Sequence, residues 1–258
     1  VIWQSAQVLD IQFNVPVDDK SFAMDAKVAQ QSAQQKGWEQ PFRNDQSTQL
    51  ADGIDLYQGS WNTTIVRQPD GVVVLETPIS STFTQGIFKE VQKKYPGAKV
   101  KAVLSTSDSW PHVGGIRFDV SQGVPVYILD LNQALLSRMI AAPHTINPDA
   151  LERSRKKPEW KIVSGRMELG SGANRMELYP LRGASTERQY MVYFPERRLL
   201  YASDTLVVNP DKTLYDPQLM HEVRQAVERE HLKVDSVYAM HEGPTPWSDV
   251  VTMLDKTT

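Results

Sequence analysis

Residues 72–78 read Val-Val-Val-Leu-Glu-Thr-Pro. A short apolar run with no polar break before Glu76 suits a strand covered on both faces, whereas a half-solvated strand alternates. Pro69-Asp70-Gly71 just before it is a turn, with glycine suited to positive φ. Residues 81–95 follow with helical character and stop at Pro96-Gly97, and a second buried strand, KVKAVLST, spans 99–106. A buried strand, a helix and another buried strand confine the chain to layered α/β architectures.

The same rhythm continues along the chain. GIDLYQGSW (53–61) and TTIVRQ (63–68) read as strands, 114–122 as a short helix, VPVYILD (124–130) as a strand and NQALLSRMIAA (132–142) as a helix. After a proline- and charge-rich loop at 143–160, strands are predicted at KIVSGRMEL, NRMELYPL, QYMVYFP and RLLYASD. A helix over 216–231, the strand VDSVYAM and a last helical turn near 247–254 complete the pattern. Upstream, residues 1–16 alternate apolar and polar and read as a strand or strand pair. Residues 20–36 are helix formers with Gly37 as a stop, and 38–50 are loop-like. The expected division is a leader over 1–49 and an α/β domain over 50–258. Val1 falls inside a strand-like pattern, so the sequence reads as part of a longer precursor.

The 258 residues carry a formal net charge of -3, which offers no basic field for nucleic acid or an anionic membrane surface. The basic cluster at 154–161 is local and reads as a solvated loop. No cysteine is present, which excludes disulfides, zinc–thiolate sites and a cysteine nucleophile. The longest apolar runs are too short to cross a bilayer.

In layered α/β folds the chemistry gathers in loops beyond strand ends. Four loops qualify: 105–115, 182–188, 202–206 and 240–247. The first lies in V-L-S-T-S-D-S-W-P-H-V-G-G (103–115), where Gly114-Gly115 permit a tight turn into the next helix. His112 and His241 lie in these loops. His144 reads as a loop residue, and His221 and His231 as surface positions of the 216–231 helix.

Residues 106–115 resemble the T-H-H-H-F-D-H-S-G-G motif of the metallo-β-lactamase superfamily. LADG (50–53), VVVLETP (72–78), ASTERQYMVYFP (184–195), VYFPERRLLYASD (192–204) and HEGPTPW (241–247) extend the resemblance over roughly 50–255. It implies an αββα four-layer sandwich and a binuclear zinc hydrolase, whose activated water attacks an ester, amide, thioester or phosphoester. Carried over position by position, the ligand pattern is broken. Ser107, Ser109 and Ser185 stand where one zinc site has histidines, and Pro111 replaces an aspartate of the other. His112, Asp204 and His241 keep the ligand types.

Three readings follow. One divalent ion, zinc or iron, is held by His112, Asp204 and His241, with Asp108 able to swing in. Alternatively no ion is held, and Asp204 hydrogen-bonds His112 or His241 as a polar relic. In the third, Ser107, Ser109 or Ser185 is a nucleophile activated by His112 and oriented by Asp204. The implied function is a hydrolase-like protein acting on an ester, lactone or amide, with a non-catalytic binding or scaffolding module as the alternative. Trp110, Arg182 and Ser185 are candidate substrate contacts for an unspecified small molecule, and Glu187 and Arg188 flank the same loop. The resemblance also implies an exported or periplasmic bacterial protein, with the 1–49 leader as the tail of an upstream β-rich domain.

Overall fold

The computed structural model describes residues 6–34, 40–110 and 112–257. The apolar run at 72–75 lies inside a seven-stranded sheet, ordered along the chain as β1 (Ser47–Ala51), β2 (Ile54–Tyr57), β3 (Thr63–Gln68), β4 (Gly71–Leu75), β5 (Val100–Leu104), β6 (Val126–Leu129) and β7 (Trp160–Val163). The strands pair antiparallel up to β4 and parallel from β4 onward. The parallel half needs crossovers, which come from α2 (Ser81–Lys94), after α1 (Ala26–Gln34) in the leader, then α3 (Ile116–Gln122), α4 (Gln133–Ala141) and α5 (Ala150–Ser154).

A six-stranded sheet holds β8 (Met167–Leu169), β9 (Met176–Pro180), β10 (Tyr190–Phe194), β11 (Leu199–Tyr201), β12 (Ser236–Tyr238) and β13 (Thr245–Pro246), ordered β13-β12-β11-β10-β9-β8. Its one parallel pair, β11 with β12, is bridged by α6 (Pro217–Arg229), and α7 (Trp247–Asp255) closes the chain.

Alternation along the strands distributes side chains to three apolar layers. Val72 and Val74 face α2–α5 with Ile87, Ile116 and Leu136. Val73 and Leu75 face the other sheet and meet Leu178, Val192 and Tyr201. Leu200 and Met191 turn outward onto Val223 of α6 and Leu254 of α7. The predicted αββα sandwich is the observed one.

Local signals explain the element ends. Ser80 caps α2 by accepting from Phe83 N at 3.2 Å, and Asp216 caps α6 ahead of Pro217. Two expectations change. KIVSGRMEL, read as one strand, is β7 and β8 of different sheets, because the chain crosses between sheets at Ser164–Arg166. The 143–160 loop contains α5, capped by Asp149.

The chain divides into two compact units, Val1–Gly37 and Trp38–Thr258. The second begins ahead of the expected boundary at 50: Phe42 packs on Tyr57 and Phe83, and β1 pairs with β2 from Ser47. In the first unit, residues 6–16 form no strand, and residues 1–5 of the expected strand lie outside those described. A 3-10 turn at Asp19–Phe22 precedes α1, and Leu9, Phe13 and Phe22 are exposed. Among the described residues, no helix is long and apolar enough to cross a membrane.

Candidate functional site

Two parallel strands, β11 and β12, end side by side and deliver the loops that carry Asp204 and His241. Ala202 N donates to Tyr238 O and Met240 N to Ser203 O, each at 2.9 Å, which locks those loops in register. Ser203 turns the chain with φ 58°. His112 arrives from the other sheet, on the loop after β5. Gly114 and Gly115 let that loop press against residues 77–79: a Cβ on Gly114 would lie 2.3 Å from Ile79 O, and one on Gly115 2.5 Å from Thr77 O. Tyr190 N, bonded to Thr106 O at 3.1 Å, ties the loop to the second sheet.

The three side chains meet. His112 Nε2 lies 3.1 Å from Asp204 Oδ2, and His241 Nε2 lies 3.2 Å from Asp204 Oδ1. The imidazoles stand edge to face, with centroids 5.7 Å apart. His112 is buried, while the Asp204 and His241 side chains keep 28% and 29% of their surface open, so the cluster is reachable from solvent.

His241 Nδ1 lies 2.6 Å from Ser60 O. A carbonyl only accepts, so that nitrogen carries a proton. Nε2 of a neutral His241 would then point a lone pair at a carboxylate oxygen. The geometry therefore calls for a second proton on the ring or a cation between the two groups. Burial opposes ionisation of Asp204, but the hydrogen bonds and positive charge of His112 and His241 outweigh it and hold the carboxyl well below the usual range. Burial likewise opposes the charged form of His241, and Asp204 outweighs it and raises the pKa.

One donor atom from each of His112, Asp204 and His241 falls within 4.8 Å of the others. Tetrahedral zinc with N and O ligands near 2.1 Å sets ligand–ligand edges of roughly 3.4 Å; the two N···O separations here are of that order and run to the two oxygens of Asp204. Two imidazoles and a carboxylate are a donor set that could hold a single divalent ion.

The fold recurs in solved structures. The DIM-1 metallo-β-lactamase aligns over 85% of this chain and 99% of its own, with TM-score 0.62 and 14% identity. The chain has the metallo-β-lactamase fold. A metallo-β-lactamase from Pontibacter korlensis aligns over 81% of this chain and 98% of its own, with TM-score 0.62 and 18% identity. An inverting sec-alkylsulfatase from Pseudomonas sp. aligns over 81% of this chain, with TM-score 0.56 and 15% identity, and this chain spans 40% of it. No protein-family model and no curated protein matches the sequence.

Within this metallo-β-lactamase fold the other predicted residues are dispersed. Ser107 is buried and its Oγ accepts from Ser109 N at 3.1 Å. Ser109 is exposed and directs Oγ at Trp110 O. Ser185 is exposed, with its N–H held by the Glu222 carboxylate. With His112 Nε2 on Asp204, His112 Nδ1 without a partner, and the His241 nitrogens taken by Asp204 and the Ser60 carbonyl, no serine hydroxyl among the described residues is hydrogen-bonded to either imidazole. That arrangement runs against the serine-nucleophile reading. Asp108 does not turn inward: Arg188 Nε holds its Oδ2 at 2.7 Å. Pro111 lies outside the described residues.

Trp110 is 57% exposed. Arg182 pairs with Asp130 at 2.8 Å, and Glu187 is exposed. His144 sits against Asp149, which the buried Arg117 holds, and His221 meets Thr257. His231 closes the turn after α6 with φ 54°.

Sequence reasoning missed the groups behind the cluster. Ser60 acts through its carbonyl, which no residue type signals. Trp61 packs edge-on against His241 at 5.8 Å. Asn62 donates to Ala239 O and Glu242 O, holding the His241 loop. Glu76, fully buried with φ 69°, accepts from Thr106 N, Thr106 Oγ1 and Tyr201 OH. Burial pushes its carboxyl up to about 7 against the pull of Thr106. A charged residue closing an apolar run was the available signal.

Proposed function

We propose that this chain is a hydrolase-like protein holding one divalent ion, zinc or iron, at His112, Asp204 and His241. It acts on an ester, lactone or amide bond. The observation that carries the reading is the pair of imidazole Nε2 atoms converging on one carboxylate, with His241 fixed by Ser60 O in the tautomer that leaves Nε2 free to ligate. The resemblance places serines at Ser107, Ser109 and Ser185 where a second ion would need histidines, and neutral hydroxyls are poor zinc ligands.

When bound, such an ion supplies Lewis-acid polarisation and an activated water. The chain's own residues do the rest. Asp204 keeps its negative charge across the physiological range, Ser60 O orients His241, and Asn62 fixes the loop that carries it.

One observation favours a second reading, a non-catalytic binding module. A doubly protonated His241 satisfies the same contacts as an ion pair with Asp204 and needs no metal. Metal analysis of protein purified without chelator separates the two. About one equivalent of zinc or iron, lost in His112→Ala and His241→Ala, supports the first. A metal-free protein whose thermal midpoint ignores added zinc overturns it.

A further inference from the structure

A groove of about 250 Å³ lies at the far end of β3 from the ligand cluster. Asn62, just ahead of that strand, holds the His241 loop, and Gln68, its last residue, lines the groove. An extended chain puts roughly 20 Å between the two. The walls come from both sheets. Arg67 and Gln68 belong to β3, Asn174 to the β8–β9 connection and Arg197 to the β10–β11 connection, with Asp52 at the β1–β2 turn. All lie within the second compact unit.

Two guanidinium groups in this groove lack a carboxylate. Arg67 stands over the Tyr95 ring at 5.7 Å and donates to Gly71 O at 3.2 Å, with no ion pair among the described residues. Arg197 has neither a hydrogen bond nor an ion pair among them, and its Nε is buried. Arg138, Arg153 and Arg155 also lack an acid, but they are exposed to water. The other half-buried arginines, Arg175, Arg188 and Arg224, each meet a carboxylate. A charge drawn out of water calls for a counter-charge. Asp70, close to Arg67, is taken by Lys101, and Asp52 sets one exposed carboxylate against two guanidiniums. The balance leaves a place for one negative charge.

The carboxamides have the opposite need. Asn174 Nδ2 donates to Asp52 O at 2.9 Å and to Arg67 O at 3.0 Å, and Gln68 Nε2 donates to Asn174 O at 2.8 Å. With their NH₂ groups spent on the main chain, Asn174 Oδ1 and Gln68 Oε1 are buried without a donor among the described residues. Glycines make room for both side chains. A Cβ on Gly53 would lie 2.7 Å from Asn174 Nδ2, and one on Gly170 would overlap the Gln68 carboxamide. Eight buried side-chain polar atoms have no partner among the described residues, and three of them belong to this one groove. Buried polar groups are normally satisfied, so that concentration points to a ligand that satisfies them.

We propose that the groove binds a small hydroxy acid, its single carboxylate between Arg67 and Arg197 and its hydroxyls donating to Gln68 Oε1 and Asn174 Oδ1. The guanidinium fork suits a carboxylate. An anion without hydroxyls answers the arginines and leaves the carboxamide oxygens unpaired. A cavity of about 150 Å³ accepts benzene, so a short-chain acid fits in the groove. The site is separate from the His112, Asp204 and His241 cluster and does not depend on the hydrolase reading.

Glycerate is the probe, and propionate, which lacks the hydroxyls, is the control. Each is titrated into the full chain at neutral pH. Calorimetry gives affinity, and the Arg197 Nε–H and the Gln68 and Asn174 carboxamide resonances give location. Glycerate binds saturably and shifts those resonances, and propionate binds about tenfold or more weakly. Arg67→Gln and Arg197→Gln each weaken glycerate about tenfold or more, whereas Arg138→Gln and Asp204→Asn leave its affinity unchanged. Absence of saturable glycerate binding, binding undiminished in both Arg67→Gln and Arg197→Gln, or propionate bound as tightly as glycerate overturns the proposal. Binding lost in Asp204→Asn also overturns it, because the ligand then sits at the other end of the sandwich.

Discussion

Asp119 is fully buried, with one oxygen held by Thr77 Oγ1 at 2.6 Å and the other without a partner among the described residues. Burial pushes its carboxyl up to about 8, and Glu76 up to about 7. Both folded-state values lie above the unfolded ones, so the native chain retains protons that the unfolded chain releases. The resulting stability is complete below about pH 4 and is lost as pH rises, through about 7 for Glu76 and about 8 for Asp119. Urea unfolding between pH 5 and 8 should show stability falling with pH, by up to about 1.4 kcal/mol per pH unit for each group. Asp119→Asn should flatten that slope, and an unchanged slope would show that Asp119 ionises normally. At this scale the sequence was informative where function needs a particular side chain. His112, Asp204 and His241 stood out as residues able to ligate at strand ends. It was silent where the cluster is braced by the main chain, as at Ser60 O, or by a hydroxyl among many, as at Thr106 Oγ1 on Glu76.

Elements were legible where burial imposes a pattern. The central strands β4 and β6 are continuous apolar runs, and β5 is one from Ala102 to Leu104, because helices cover one face and a sheet the other. The edge strand β1 is half exposed and reads Ser-Thr-Gln-Leu-Ala, so its sequence pattern is that of a loop. The alternation at 6–16 reads as a strand, yet those residues have no strand partner in the structure: a local pattern does not supply a sheet edge to pair with. The turn into α3 gives the sharpest prediction. A Cβ on Gly115 would sit 1.8 Å from Thr84 Oγ1 and 2.5 Å from Thr77 O. Gly115→Ala must therefore move the backbone that carries His112. We expect a loss of about 1–3 kcal/mol of stability and at least a tenfold loss of zinc affinity. Calorimetry and zinc titration of the same preparation check both, and wild-type zinc affinity would show that the turn yields without moving His112.

At the scale of the molecule, the αββα layering was readable from the order of elements. The seam at Ser164–Arg166 was not, because passing from one sheet to the other needs only a short polar bend that resembles any loop. Every described residue of 6–32 is exposed and adds nothing to the three apolar layers. Removing 1–37 should leave the thermal midpoint of 38–258 within about 2 °C, a shift below about 1 kcal/mol. A larger drop would assign the leader a share of the stability.

The meeting of His112 with Asp204 and His241 joins groups anchored in opposite sheets, so it works as a fastener across the sandwich. Prising the sheets apart at this end must break it, along with the Tyr190–Thr106 bond. Amide exchange in β5 and β12 should consequently slow together when zinc is added and drift apart when a chelator withdraws it, turning a local ligation event into a change in how the two halves breathe.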